Sequence, residues 1–277
     1  MAKAINSYVT LGEFLKWITP QDTSAEGVDD AVIESILEAV SRHIDAETGR
    51  YFYPFIETRY FDTPYGREIV LDEDLLEVIA ITNADGTAVT SYNLIPKNSS
   101  PHHSIRMTKT ATVNWTTNTT DLDEFSIDVN GIWGYHNNYS RRAWKSVGTL
   151  GSAISDTTTA AFTMTAGHTV KPGTICKIEN ELYIIETVSG TTVTPKARGD
   201  NGSTAATHDN ATAVYEFTPM PEISLACKLI AQSIHRRFGK QASTQDENVI
   251  LASGVVITPR DIPILAKHAL DRNRRIY

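Results

Sequence analysis

The stretch Asp29-Asp30-Ala31-Val32-Ile33-Glu34-Ser35-Ile36-Leu37-Glu38-Ala39-Val40-Ser41-Arg42-His43-Ile44-Asp45-Ala46-Glu47-Thr48-Gly49-Arg50, followed by Tyr51-Phe52-Tyr53-Pro54, decides the fold class. Ile33, Ile36, Leu37, Val40 and Ile44 recur at helical spacing and form one apolar stripe. The carboxylates of Asp29 and Asp30 meet the positive end of the helix dipole, and Gly49 supplies a left-handed C-cap. After Tyr51–Pro54 the apolar period changes from that of a helix to that of a strand.

Toward the N-terminus, Thr10-Leu11-Gly12-Glu13 has the capping-box form. Leu11, Phe14, Leu15 and Ile18 then share a helical face until Pro20 stops the turn. Toward the C-terminus, Glu57–Phe61, Arg67–Leu71 and Leu76–Thr82 read as strands, with Asp85-Gly86 as a hairpin turn. Tyr92–Ile95, Ile105–Met107 and Phe125–Trp133 continue the pattern. In the last of these, Phe125, Ile127, Val129 and Gly131 are expected to be buried, and Ser126, Asp128 and Asn130 wet. Thr110–Thr120 reads as an exposed edge or loop.

A second β segment follows Gly148-Thr149-Leu150-Gly151, with short apolar runs at Ala161–Met164, Thr174–Ile178, Leu182–Val188 and Thr191–Thr194. Such spacing predicts a compact barrel or sandwich of ~65 residues. Beyond Pro219 and Pro221 a helix carries Ile223, Ala226, Cys227, Ile230 and Ile234 on one face and ends near Gly239. Asp246–Ile257 reads as a loop. Thr258-Pro259 can cap a last helix that runs toward Arg275, although Pro263 is close enough to delay its start. The reading is α+β: a small helical bundle built from both chain ends, with antiparallel β domains inserted. The expected divisions are 1–56, 57–148, 149–218 and 219–277.

The 277 residues carry 33 acidic and 25 basic side chains, with 41% hydrophobic and 21% charged residues, a globular composition. No apolar run approaches the ~18–20 residues that span a bilayer. Met1–Asn6 opens no apolar segment of signal-peptide length, and Cys176 and Cys227 are too few for a disulfide framework. Synthesis in a reducing cytoplasm, without membrane association, is therefore expected. Residues 61–140 hold 4 basic and 11 acidic groups, whereas residues 221–277 hold 9 and 5. An acidic body with a basic tail suits docking of the C-terminus on an acidic partner, and lacks the broad basic face of a nucleic-acid reader.

Catalytic signals are weak. Asp72 and Asp74 would share one side of a strand or turn and could hold a divalent cation; a solvated acidic turn is the commoner reading. His102-His103 lacks a third ligand at useful spacing. Cys227 falls on an apolar helix face, where a buried thiol is the default. P-loop, GxSxG, HExxH and dinucleotide fingerprints are absent from the sequence. No enzyme activity, metal or cofactor is expected. Trp115, Trp133, Tyr135, Tyr139 and Trp144 offer two readings: a sugar-stacking platform on a carbohydrate- or receptor-binding virion protein, or the core and rim of a β domain.

Ordered blocks of the chain resemble head–tail connector (adaptor) proteins of tailed bacteriophages. They are Tyr8–Trp17, Ser41–Arg50, Tyr51–Pro54, Thr58–Asp62, Leu71–Leu76, Thr82–Thr87, Tyr92–Pro96 and Val129–Tyr135, about half of the chain. Gly173–Ile178, Glu181–Val188 and Val193–His208 resemble a small β module that recurs in phage structural proteins. There Lys196-Ala197-Arg198-Gly199 replaces the more apolar strand that such a module leads one to expect before Arg-Gly. The resemblance implies a structural protein of the virion neck. It would form a ring, dodecameric by analogy, beneath the portal protein, above a tail-side neck or stopper protein, and DNA would pass through without sequence-specific binding. It also implies portal docking by Arg272, Arg274, Arg275, Ile276 and Tyr277. Asp29, Asp30, Glu34 and Glu38 are then candidates to face the channel and repel passing DNA.

Overall fold

A computed structural model of the chain describes residues 6–19, 29–116, 124–158, 161–241 and 262–275. The chain is α+β, with helices toward both ends of the sequence and the strands of two antiparallel sheets between them in chain order. It separates into two compact units: Met1–Arg50 with Lys145–Asp200 and Ala205–Tyr277, and Tyr51–Trp144 with Asn201–Thr204.

Among the described residues, four α-helices belong to the first unit: α1 (Leu11–Ile18), α2 (Asp30–Thr48), α3 (Pro221–Gln241) and α4 (Ile264–Asn273). The capping box at the start of α1 forms as predicted, Thr10 accepting from the Glu13 N–H and Glu13 reaching back to the Thr10 N–H. Asp29 caps α2 by accepting from the Ala31 N–H, and Gly49 ends it in the left-handed region at φ 64°. Ile33, Ile36, Leu37, Val40 and Ile44 are all buried, as are Phe14 of α1 and Ile223, Ala226, Cys227 and Ile230 of α3, the two helices on which α2 packs. Pro263 stands at the N-cap of α4 and sets its start, so the helix begins at Ile264. Pro20, Thr258 and Pro259 lie outside the described residues.

The second unit is a five-stranded sheet of β1 (Phe55–Phe61), β2 (Glu68–Thr82), β3 (Tyr92–Ile95), β4 (His102–Met107) and β5 (Ile127–Trp133), in the order β1-β5-β2-β4-β3. Arg67–Leu71 and Leu76–Thr82 are not separate strands: β2 runs through both, and its register against β4 shifts between Val70 and Leu75. Such a bulge absorbs the acidic triplet without ending the strand. Phe125 is a second departure. It is exposed at φ 49°, before β5 begins, whereas Ser126 is buried beside Thr63. The predicted alternation holds from Ile127 through Gly131. At Gly134 the backbone takes φ +130° and a Cβ would stand 2.4 Å from the Tyr53 carbonyl oxygen, so only glycine fits.

The first unit also contains β6 (Trp144–Thr149), β7 (Phe162–Thr163), β8 (Ile175–Ile178), β9 (Glu181–Ser189), β10 (Thr192–Pro195) and β11 (Ala213–Phe217), ordered β6-β11-β8-β9-β10-β7. An antiparallel bridge between Leu150 and Met164 joins the two edges, supported by the Thr165 N–H on the Thr149 carbonyl at 2.9 Å. The sheet thereby closes into a small barrel. Strands β6 and β11 were not legible in the sequence. Val147, Leu150, Phe162, Met164, Ile178, Tyr183, Ile185, Val193 and Val214 fill its interior.

Candidate functional site

The basic C-terminal segment lies on the end of α2. A helix leaves its last four carbonyls without intrahelical donors and carries partial negative charge there. Arg274 Nε donates to the Glu47 carbonyl at 2.9 Å, and its Nη2 reaches the Glu47 carboxylate at 2.8 Å. The Arg275 N–H donates to the Thr48 carbonyl at 2.8 Å. Just before them in the chain, Arg272 pairs with Glu222 at the start of α3, and Asn273 bonds the same carboxylate at 3.3 Å. Arg272, Arg274 and Arg275 are thus gathered at one end of the helical bundle by their own chain. Ile276 and Tyr277 lie outside the described residues.

The acidic candidates occupy the other end of α2. Asp29 is spent on the cap; Asp30 and Glu34 line a cleft of about 800 Å³ with Thr10 and Glu13 of the α1 start and Lys171 and Glu186 of the barrel. Glu38 is half-buried. Lys171 approaches Glu13 at 4.0 Å across this cleft.

The N-terminal segment is tied to the bundle by a buried polar cluster. Tyr8 donates through its hydroxyl to Asp45 Oδ1 and through its N–H to Ser41 Oγ at 3.1 Å. Arg42 Nε faces Asp45 Oδ2 at 2.9 Å, and Ser224 bonds the Tyr8 carbonyl at 3.1 Å. Burial pushes the Asp45 carboxyl up, Arg42 and the Tyr8 hydroxyl pull it back, and the result is about 6. Cys227 touches Ser41 at 3.8 Å and is fully buried, which pushes its thiol to about 12.

The barrel holds a second polar cluster that sequence reading did not find. The Glu181 carboxylate is enclosed. It accepts from Arg198 Nε at 2.8 Å and Nη2 at 3.0 Å, from the Gly199 and Ala206 N–H groups at 3.0 and 2.9 Å, and from the Tyr183 hydroxyl at 2.9 Å. His208 Nε2 lies 2.9 Å from the same carboxylate, and Nδ1 lies 2.7 Å from Glu179. Burial raises the Glu181 carboxyl, but the donors together outweigh it and hold it at about 2. The Arg-Gly pair at 198–199 was the visible half of this cluster.

The remaining candidates separate. The β2 bulge leaves Asp72 exposed and Asp74 buried, so the pair shares no face. Asp72 faces Arg59 Nη1 at 3.5 Å, while Asp74 lies 3.9 Å from His103 Nδ1. Among the described residues no group of three or more His, Cys, Asp or Glu side chains is arranged to hold a metal ion. His102 bonds the Pro96 carbonyl, and burial lowers its pKa. The aromatic cluster belongs to the core and rim of the sheet. Trp133 is fully buried, donates to the Glu57 carbonyl at 2.9 Å and is covered by the Arg59 guanidinium at 4.5 Å. Tyr139 is buried edge-on to Trp144, and Trp115 packs partly buried on the same core. Trp133 and Tyr139 therefore offer no ring face to a sugar.

A solved structure is similar across the whole chain. It is the neck of an empty GTA (gene transfer agent) particle computed with C6 symmetry, at 12% identity and a TM-score of 0.41, covering 100% of this chain and 94% of that one. No family model matches the chain. No curated protein matches it. No helix among the described residues is long and apolar enough to cross a membrane.

Proposed function

We propose that this protein is a non-enzymatic head–tail connector of a phage-like virion. Subunits form a ring beneath the portal protein and above a tail-side neck or stopper protein, dodecameric by analogy, and DNA passes through its channel. Residues 1–56 and 219–277 build the helical part of the ring, with 57–148 and 149–218 as insertions. Asp29, Asp30, Glu34 and Glu38 face the channel and keep the DNA moving by like-charge repulsion.

The observation that carries this reading is the gathering of Arg272, Arg274 and Arg275 at one end of a bundle made from both chain ends. Arg274 and Glu47 remain 53% and 42% exposed, and an ion pair of that kind contributes about 0–1 kcal/mol. Such pairs exchange readily for carboxylates of a docking partner. At the portal, Arg272 and Arg274 leave Glu222 and Glu47, Arg275 leaves the Thr48 carbonyl, and Ile276 and Tyr277 follow as an apolar anchor.

Removal of residues 272–277 should leave a folded protein, about 1 kcal/mol less stable because the end of α2 loses its cationic cap. That protein should no longer bind the portal protein of the same particle in a pull-down, and Arg274→Glu should weaken binding in the full chain. Undiminished binding of the shortened chain would remove the docking role.

A further inference from the structure

Phe61 pairs with Ile127, so the end of β1 and the approach to β5 lie together at one end of the five-stranded sheet. Three aromatic side chains stand out in these segments: Tyr60, Tyr65 and Phe125, with Tyr65 108% and Phe125 71% exposed. Phe125 is held at φ 49°, a backbone region disfavoured for a bulky side chain, by its N–H on Asp62 Oδ1 at 2.9 Å. Exposed aromatic rings serve as anchors where protein surfaces meet. Asp62 and the exposed Glu124 flank them with negative charge.

The bundle offers a matching surface. Leu225 and Leu229 of α3 and Leu265 and Ala269 of α4 line a groove of about 180 Å³, with Glu222, His268 and Arg272 at its rim. An apolar cavity of ~150 Å³ is enough for a benzene ring. Ile264 and Leu265 extend the apolar surface into solvent, and Lys267 and His268 are exposed beside them. Glu222 is paired with Arg272, so Lys267 and Asp271 are the other full charges on α4 short of its C-cap. Lys267 and Asp271 balance one another, and the complementarity lies in the wider regions: 4 basic to 11 acidic groups over residues 61–140, and 9 to 5 over residues 221–277.

We propose that the aromatic tip formed by Tyr60, Tyr65 and Phe125 docks into the α3–α4 groove of a second copy of this chain. Tip and groove are different surfaces, so each subunit offers one and receives the other. A contact of this heterologous type repeats from copy to copy and closes into a ring when the rotation allows. The proposal deepens the ring reading above and rests on it.

Single-cysteine cross-linking of the full chain tests the contact. Cys176 and Cys227 are buried and do not compete. A Tyr65→Cys chain mixed with a Leu265→Cys chain should give a disulfide-linked dimer at high protein concentration, at least tenfold above either chain alone. Adding Phe125→Asp to the Tyr65→Cys chain should abolish it. Equal cross-linking in all three samples, or none, would overturn the proposal. Light scattering on the unmodified protein then separates the two failures. An oligomer without the cross-link leaves the ring and refutes this contact; a monomer at every concentration refutes self-association as well.

Discussion

Glu181→Ala is expected to destabilise the protein by about 3–5 kcal/mol, as removal of one partner from a buried ion pair does elsewhere. The reason is geometric. Glu181 and Arg198 are 0% and 3% exposed at their side chains, so neither charge can recover its hydration once the other is gone. The loss leaves the guanidinium, two backbone N–H groups and the Tyr183 hydroxyl facing an empty site at once. Arg198→Lys should recover little, because an ammonium cannot reproduce the forked contact to both carboxylate oxygens. Chemical denaturation followed by far-ultraviolet circular dichroism reads the effect; a loss under 1 kcal/mol would contradict it. The same group sets an acid limit. Its carboxyl sits at about 2 against 4.5 in the unfolded chain. Its contribution of about 3 kcal/mol is therefore fully present above pH 4.5 and is lost as pH falls through 2.

Asp45 should act in the opposite sense, in a different pH window. Its carboxyl is raised from 3.8 to about 6, chiefly by burial, so the folded chain holds its proton more tightly than the unfolded one. The contribution to stability is complete below pH 3.8 and is lost as pH rises through 6, by about 3 kcal/mol in all. Asp45→Asn keeps an acceptor for the Tyr8 hydroxyl but cannot ionise. Relative to the unsubstituted protein, the variant should thus gain about 2 kcal/mol between pH 4 and pH 7, whatever its offset at either value. Parallel stability curves over that range would mean that Asp45 is solvated in the fold or that Arg42 neutralises it fully.

What could be read from the sequence was what neighbouring residues determine by themselves. The α2 stripe, its Asp29 cap and its Gly49 terminus are all set within one or two turns, and each appears where the spacing placed it. The capping box of α1 and the delayed start of α4 at Pro263 are local in the same way. The misreadings arise where distant pairing decides. Asp72 and Asp74 are two apart, which in a regular strand means one face, but the register shift between β2 and β4 turns one outward and one inward. Strands β6 and β11 have weak patterns of their own and exist because they close a barrel. Phe125 looked like a core residue by alternation, yet β5 begins only at Ile127.

The polar clusters were hidden for a related reason. The donors to Glu181 come from positions 183, 198, 199, 206 and 208, and no spacing rule links them. Asp45 carries no mark that separates it from the other acids of α2; its burial follows from Tyr8, 37 residues earlier. The basic tail was visible as composition. Its resting place on Glu47 and Glu222 depends on α4 lying against α2 and α3.

The central claim is position in the particle, and gold-labelled antibody electron microscopy on particles from the source lysate tests it most directly. A connector predicts label confined to the junction between capsid and tail. Label at a tail tip or fibre, or particles that carry none, would contradict it.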